Sequence, residues 1–209
     1  NELKHYDFNN AVVWCPCDSA LHSSFYHYFR LNFETLGLKK LIATVYDKQG
    51  KATVFDGQRE STYMLNGNGS FDCDEVKPFL NECDFIVTNP PFSKFEEITE
   101  FCIEYNKRFI LLGFVGVLYR QKTFEFLFHD KLKLGYTRNK SLDFIVPDWC
   151  VCHKENNGVH LVTLSNVFFF TNLTIDKLVQ FKSKIKLSDY PFQKYDNFDA
   201  WFKYFNDII

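Results

Sequence analysis

The stretch "DFIVTNPPFSKFEE", residues 84–97, decides how the chain is read. Phe85 to Val87 make a short apolar run of the kind that forms a strand buried on both faces. Pro90 and Pro91 then remove two backbone donors and fix two φ angles, so neither a sheet nor a helix continues through them. Ser93 and Glu96 have the three-residue spacing of a capping box, which predicts that a new helix starts at once. Asn89 to Phe92 are therefore expected at a strand's carboxyl end, held rigidly and facing a crevice.

Outward from this stretch the same pattern repeats. Ala11 to Trp14, Leu41 to Val45 and Phe109 to Leu112 are further short apolar runs bounded by turn residues. Helical spacing falls between them, at Phe25, Phe29, Phe33 and Leu36 and again at Phe95, Ile98, Cys102 and Tyr105. Alternating strands and helices predict an α/β fold around a mostly parallel, doubly wound sheet. Two β-like pieces around Asp56-Gly57 predict a hairpin inserted near residues 51–66. After about residue 131, "KLKLGYTR", "LDFIVPD" and "VHLVTLSNVFFFTNL" predict antiparallel strands that extend the sheet in the C-terminal part. The aromatic and acidic stretch "YPFQKYDNFDAWFKYFNDII" reads as a terminal helix or as a segment packed on the sheet. With no repeat, low-complexity segment or linker, residues 1–209 read as one domain.

Composition narrows the class. The 209 residues are 46% hydrophobic with 25 phenylalanines, which excludes a disordered chain and supplies a sizeable core. No run approaches the ~20 apolar residues of a membrane span, and the first residues lack a signal-peptide pattern, so a cytoplasmic protein with no membrane association is expected. Seven cysteines, an odd and scattered set, read as reduced thiols. Cys15, Cys17, Cys150, Cys152 and His153 could be drawn as a zinc site, but Cys-x-Cys is not the spacing that structural zinc favours, and no metal is expected. A net charge of −2 means that any nucleic-acid surface must be local. Lys131, Lys133, Arg138 and Lys140 form one candidate group and Lys182, Lys184 and Lys186 another, with a solvated surface as the plain alternative.

The chemistry open to Asn-Pro-Pro-Phe follows from its atoms. In an open α/β sheet, ligands bind beyond the carboxyl ends of the strands. There the Asn89 side-chain oxygen and the Pro90 carbonyl offer two acceptors close together, suited to both hydrogens of an exocyclic amine. Accepting both draws the nitrogen lone pair out of conjugation, and Phe92 can stack on the ring that carries the amine. An activated methyl carbon in line with that nitrogen would complete the reaction, with S-adenosylmethionine as the donor, and a duplex base would have to be flipped out to reach it.

Here the sequence resembles a known family. The motif D-x-x-x-x-N-P-P-F looks like the catalytic motif of amino-group methyltransferases, and the surrounding chain resembles the adenine-specific DNA methyltransferases of the EcoRI type. "VWCPCDSALHSSFYHYFRLNFETLGLKKLIAT" is similar to that family's amino-terminal Cys-Pro-x-Asp segment, "GNGSFDCDE" to its Gly-Asp-Gly-Asp-Phe segment, and "FFTNL" and "KYDNFDA" to its later strands. The resemblance runs from about Val12 to Ala200. It implies a Rossmann-like S-adenosylmethionine-dependent methyltransferase fold and methylation of adenine N6 in double-stranded DNA, in a restriction-modification system or mobile element.

By position the resemblance makes Asn89, Pro90, Pro91 and Phe92 catalytic. It puts Cys15, Pro16, Cys17 and Asp18 at the methionine end of the cofactor, and Phe71, with Asn68 and Asp72, near its adenine. Asp18 alone reads equally as a helix cap. Tyr46 and Asp47 end the second strand, where an acid often holds a ribose, and Tyr46 joins the cofactor set on that ground, with a plain turn as the alternative. The first-strand loop departs from the usual pattern in having no Gly-x-Gly, and Asn68 and Ser70 stand where aspartates are expected. Cytosine N4, an RNA base and a protein glutamine are other amines that the motif can serve, and a methyltransferase-like DNA-binding module without turnover is the reading from another class. The sequence leaves the oligomeric state open, a monomer included.

Overall fold

The computed structural model describes residues 2–137, 142–146, 154–156 and 159–174. The first strand, β1 (Val12–Cys15), is wholly buried and pairs in parallel with β2 (Lys40–Val45) on one side and β5 (Phe85–Thr88) on the other. Parallel neighbours require a crossover, supplied by helix α1 (Ser24–Leu31) between β1 and β2 and by α3 (Phe95–Glu104) between β5 and β6 (Arg108–Phe114). The intervening chain forms the antiparallel hairpin β3 (Lys51–Phe55) and β4 (Glu60–Met64), then the short helix α2 (Lys77–Glu82). Asp56 closes the hairpin by accepting the Gln58 and Arg59 amides, while Gly57 takes φ +95° in the turn.

Helix α4 (Gln121–Phe128) and the two-residue strand β7 (Lys133–Leu134) follow β6. Strand β11 (Val167–Thr171) then lies antiparallel between β6 and β7, giving the order β4-β3-β2-β1-β5-β6-β11-β7. Four parallel strands thus form the centre, with antiparallel strands on both edges.

Strands β8 (Leu142–Ile145), β9 (Lys154–Asn156) and β10 (Val159–Leu164) do not extend this sheet as the sequence suggested. They pair with one another in a separate three-stranded antiparallel sheet. Of "VHLVTLSNVFFFTNL", therefore, only the VFFFT portion joins the main sheet. The terminal stretch from Tyr190, including "KYDNFDA", lies outside the described residues, as do Arg138, Lys140, Cys150, Cys152, His153, Lys182, Lys184 and Lys186. No described helix is long and apolar enough to cross a membrane.

Alternation along the central strands sends side chains into two cores. Val12, Trp14, Ile42, Ile86, Phe109 and Leu111 face one layer with Phe79, Leu80, Phe95, Ile98 and Cys102 of α2 and α3. Val13, Cys15, Leu41, Ala43, Phe85, Val87 and Ile110 face the other, against Tyr26 and Phe29 of α1 and Phe8. Each large side chain buried in this way contributes about 1.5–3 kcal/mol relative to exposure, which is why strands apolar on both faces settle at the centre.

The connectivity also fixes where a ligand can sit. From β1 the chain moves outward through β2, β3 and β4, then returns to β5 on the opposite side of β1. The strand order reverses between β1 and β5, and the crevice beyond their carboxyl ends is the switch point of the sheet.

Candidate active site

The two loops at that switch point are residues 16–18, following β1, and residues 89–92, following β5. Asn89 is exposed, Pro90 buried, and Pro91 exposed with φ −53° and ψ 133°, an extended geometry that carries the chain away from the sheet. Phe92, 45% exposed, opens a 3-10 turn (Phe92–Lys94) that leads directly into α3. The expected capping box does not form. The N-cap of α3 is Lys94, with no side-chain cap bond. Glu96 is instead drawn to the next helix, where one carboxylate oxygen accepts from the Thr123 amide at 3.2 Å and the Thr123 hydroxyl at 3.0 Å, and the other lies 3.4 Å from Arg120. A carboxylate gains more at the unsatisfied amides of a neighbouring helix start, with a guanidinium beside it, than at a single amide of its own turn.

Asp18 ties the two loops together. Its carboxylate, 6% exposed, accepts from the Ser23 hydroxyl at 2.6 Å through Oδ1. Through Oδ2 it accepts from the Thr88 hydroxyl at 2.5 Å and, at 3.4 Å, from the Asn89 amide. Ser23 in turn caps α1, accepting from the Phe25 and Tyr26 amides. The Asp18 amide donates to the Thr44 carbonyl on β2 at 3.2 Å, and the Thr44 hydroxyl accepts from the buried Trp14 indole at 3.1 Å. Both carboxylate oxygens are thus spent within the chain. Burial raises the Asp18 pKa, while its bonds from Ser23, Thr88 and Asn89 pull the other way.

The remaining predicted residues occupy the same carboxyl edge in different ways. Cys15 is fully buried in the core beneath α1, so only its backbone faces the loop, and Pro16 is buried beside it. Cys17 takes φ +71°, the left-handed turn expected of a glycine, and its half-buried side chain packs on the core beneath α3. Holding a side chain there costs about 1–3 kcal/mol and shows that the loop makes its sharp turn without Gly-x-Gly. Tyr46 is 67% exposed at the end of β2, and Asp47 bonds its neighbour's amide at 2.7 Å.

Asn68 lies in a loop seated on that same strand end. Its carbonyl accepts the Asp47 amide, and Gly69, at φ +71°, leaves room where a Cβ would stand 2.5 Å from the Val45 carbonyl. The Asn68 and Asp72 side chains flank Ser70, accepting from its amide and its hydroxyl respectively. Phe71 is a core side chain, 5% exposed and edge-on to Phe101 at 5.3 Å. The Lys94 pKa is raised chiefly by Glu97, with smaller contributions from Asp72 and Tyr46.

Ser23, Thr44 and Thr88 are contributors that sequence reasoning missed. Thr88 carried a signal, being the one hydroxyl in a run of apolar strand residues directly before Asn89. Four of the described thiols are held protonated by burial, which raises Cys17 to about 12, Cys83 to about 12, and Cys15 and Cys102 well above the ordinary thiol value. Because the thiolate is the reactive form, iodoacetamide at pH 8 should leave these four unmodified in the folded protein and label them after unfolding, as read by mass spectrometry. Rapid labelling of Cys17 in the native state would contradict the burial described.

Comparison with known proteins agrees with this geometry. The family model described as "Adenine-specific methyltransferase EcoRI" matches residues 1–66 and 56–205. The Type II methyltransferase M.EcoRI of Escherichia coli is 31% identical over 233 aligned positions, covering 96% of this chain and 71% of that protein. M.MgeORF184P of Mycoplasma genitalium is 34% identical over 184 positions, covering 83% and 58%, and M.MpnI of Mycoplasma pneumoniae is 31% identical over 207, covering 93% and 65%. The chain therefore spans between 58% and 71% of the length of these relatives. No solved structure matches it. With the Asn-Pro-Pro-Phe loop at the switch point of an α/β sheet and a family model matched along nearly its whole length, the chain belongs to the EcoRI family of adenine-specific methyltransferases.

Proposed function

We propose that this protein transfers a methyl group to N6 of a flipped-out adenine in double-stranded DNA, at a specific sequence and as part of a restriction-modification system or mobile element. The observation that carries the proposal is Asn89 exposed beside a buried Pro90 at the carboxyl end of β5, with the half-exposed ring of Phe92 two residues on. The Asn89 amide oxygen and the Pro90 carbonyl accept the two N6 hydrogens, and the lone pair is freed for attack. Phe92 holds the base by stacking. The backbone that carries the acceptors is fixed by two prolines and by the Asp18 carboxylate, so little reorganisation is needed as the transition state forms. As the new N–C bond forms, the methyl carbon's bond to its donor breaks and the leaving group takes the electron pair; N6 then carries a positive charge and sheds one of the two protons held by these acceptors to solvent.

The methyl donor we infer is S-adenosylmethionine, whose sulfonium supplies a methyl carbon open to in-line attack. The residues on the strand ends suit it. We assign its methionine end to the 15–18 loop, which turns left-handed at Cys17, and its ribose and adenine to the side of the strand ends that carries the polar side chains of Tyr46, Asn68 and Asp72. Asp18, with its oxygens committed, serves as a positioning residue rather than a ligand.

Phe92→Ala should weaken kcat/KM for DNA by about 1–3 kcal/mol, roughly 5- to 150-fold, while Phe92→Tyr stays near wild type and cofactor affinity is unchanged in both. The proposal is tested by expressing the chain in a host without adenine methylation and sequencing its DNA for modified bases. Methylated adenine in one short context is the expected result; methylated cytosine, or none with the protein folded, counts against it.

A further inference from the structure

A second aromatic ring stands at the mouth of the site, in a residue that no motif assigns. Phe114 is the last residue of β6, the strand next to β5, and is 36% exposed. Its ring centroid lies 6.0 Å from that of Phe92, with the planes inclined by 34°. The backbone beneath it is pinned, since Phe114 stands opposite Val167 of β11 and the Val115 amide donates to the Asn166 carbonyl at 2.7 Å. The ring folds over Gly116, where an added Cβ would stand 2.6 Å and 2.8 Å from two of its carbons. Gly116 has no left-handed φ, so its lack of a side chain serves to seat this ring.

A half-exposed phenylalanine such as Phe92 has two free side-chain torsions, and a stacking surface is useful only at a defined angle. We propose that Phe114, seated over Gly116, is a positioning residue that fixes the angle of the Phe92 ring and so the surface offered to the target base. The substrate half of this inference rests on the methyltransferase reading; the ring contact does not.

The test is a cycle of Phe114→Ala, Gly116→Ala and the double variant, read in two ways. With Phe92 replaced by 4-fluorophenylalanine, the fluorine resonance should shift in each single variant, and Gly116→Ala should add nothing once Phe114 is alanine. In single-turnover methyl transfer to unmethylated plasmid DNA, Phe114→Ala should lower kcat/KM by about tenfold, with S-adenosylmethionine affinity within about twofold and Phe114→Tyr near wild type. Gly116→Ala should cost activity only while the Phe114 ring is present. Phe114→Leu, which keeps bulk without a ring, serves where alanine does not fold.

A fluorine resonance indifferent to Phe114, or an equal cost of Gly116→Ala in both backgrounds, overturns the inference. A wild-type chain that binds S-adenosylmethionine and transfers nothing to any DNA would instead sink the methyltransferase reading, and the fluorine cycle would still decide the ring contact.

Discussion

Asn89→Ala will lower the rate of methyl transfer by about 10²- to 10³-fold, the usual cost of removing one preorganised group that acts on developing charge, and will leave S-adenosylmethionine affinity within about twofold. The asymmetry follows from where the side chain sits. Asn89 is exposed, and the bond that fixes the loop at this residue runs from its backbone amide to Asp18. Truncation at Cβ therefore leaves the loop in place and removes an acceptor needed mainly in the transition state. Stability should change by no more than about 0.5 kcal/mol, as for an ordinary surface substitution. Equal losses of cofactor affinity and rate, measured by calorimetry and single-turnover kinetics, would assign Asn89 to cofactor binding.

The second large effect is expected at Asp18. Asp18→Ala takes the acceptor from the part-buried Ser23 hydroxyl and Asn89 amide and leaves the buried Thr88 hydroxyl only the Pro16 carbonyl at 3.4 Å, at a cost of about 1–3 kcal/mol of stability. Because the loop proposed to carry the catalytic acceptors then loses its tie to the β1 loop, transfer should fall on the order of 10²-fold, the scale of a small misplacement of reacting groups. Asp18→Asn separates charge from contact. The folded-state pKa of Asp18 lies above its ordinary 3.8, so the folded protein holds that proton more tightly than the unfolded chain. Wild-type stability relative to Asp18→Asn is therefore greatest below about 3.8, falls as pH rises through the raised value, and is level above it. Denaturant titrations from pH 3.5 to 8 measure this directly. A difference that runs the other way would show that the hydrogen bonds, not burial, dominate the carboxyl.

Much of the central sheet was legible because its strands are apolar on both faces, a pattern that little else in a chain of this size produces. The stops at Pro90 and Pro91 located the loop for the same reason, since proline's constraint is local and needs no neighbour to act. Contacts that depend on distant residues were not legible. Glu96 has the spacing of a capping box with Ser93, yet Thr123 and Arg120, brought close by α4, offer it more. Asp18 read as cofactor ligand or helix cap, and sequence cannot show that Thr88, seventy residues away, comes within 2.5 Å of it. Strand alternation in the segment around β10 was visible, but alternation gives a strand its faces and not its partners, so a separate sheet was read as an extension. Phe114 carried no signal among 25 phenylalanines until Phe92 was placed beside it.

The most direct measurement incubates the purified protein and its Asn89→Ala variant with tritiated S-adenosylmethionine and unmethylated duplex DNA, followed by nucleoside chromatography. Label in N6-methyl-2′-deoxyadenosine with the wild type, and almost none with the variant, is the predicted result. Label in cytosine, or equal label from both proteins, would contradict the assignment of the Asn89 and Pro90 acceptors to an adenine amine.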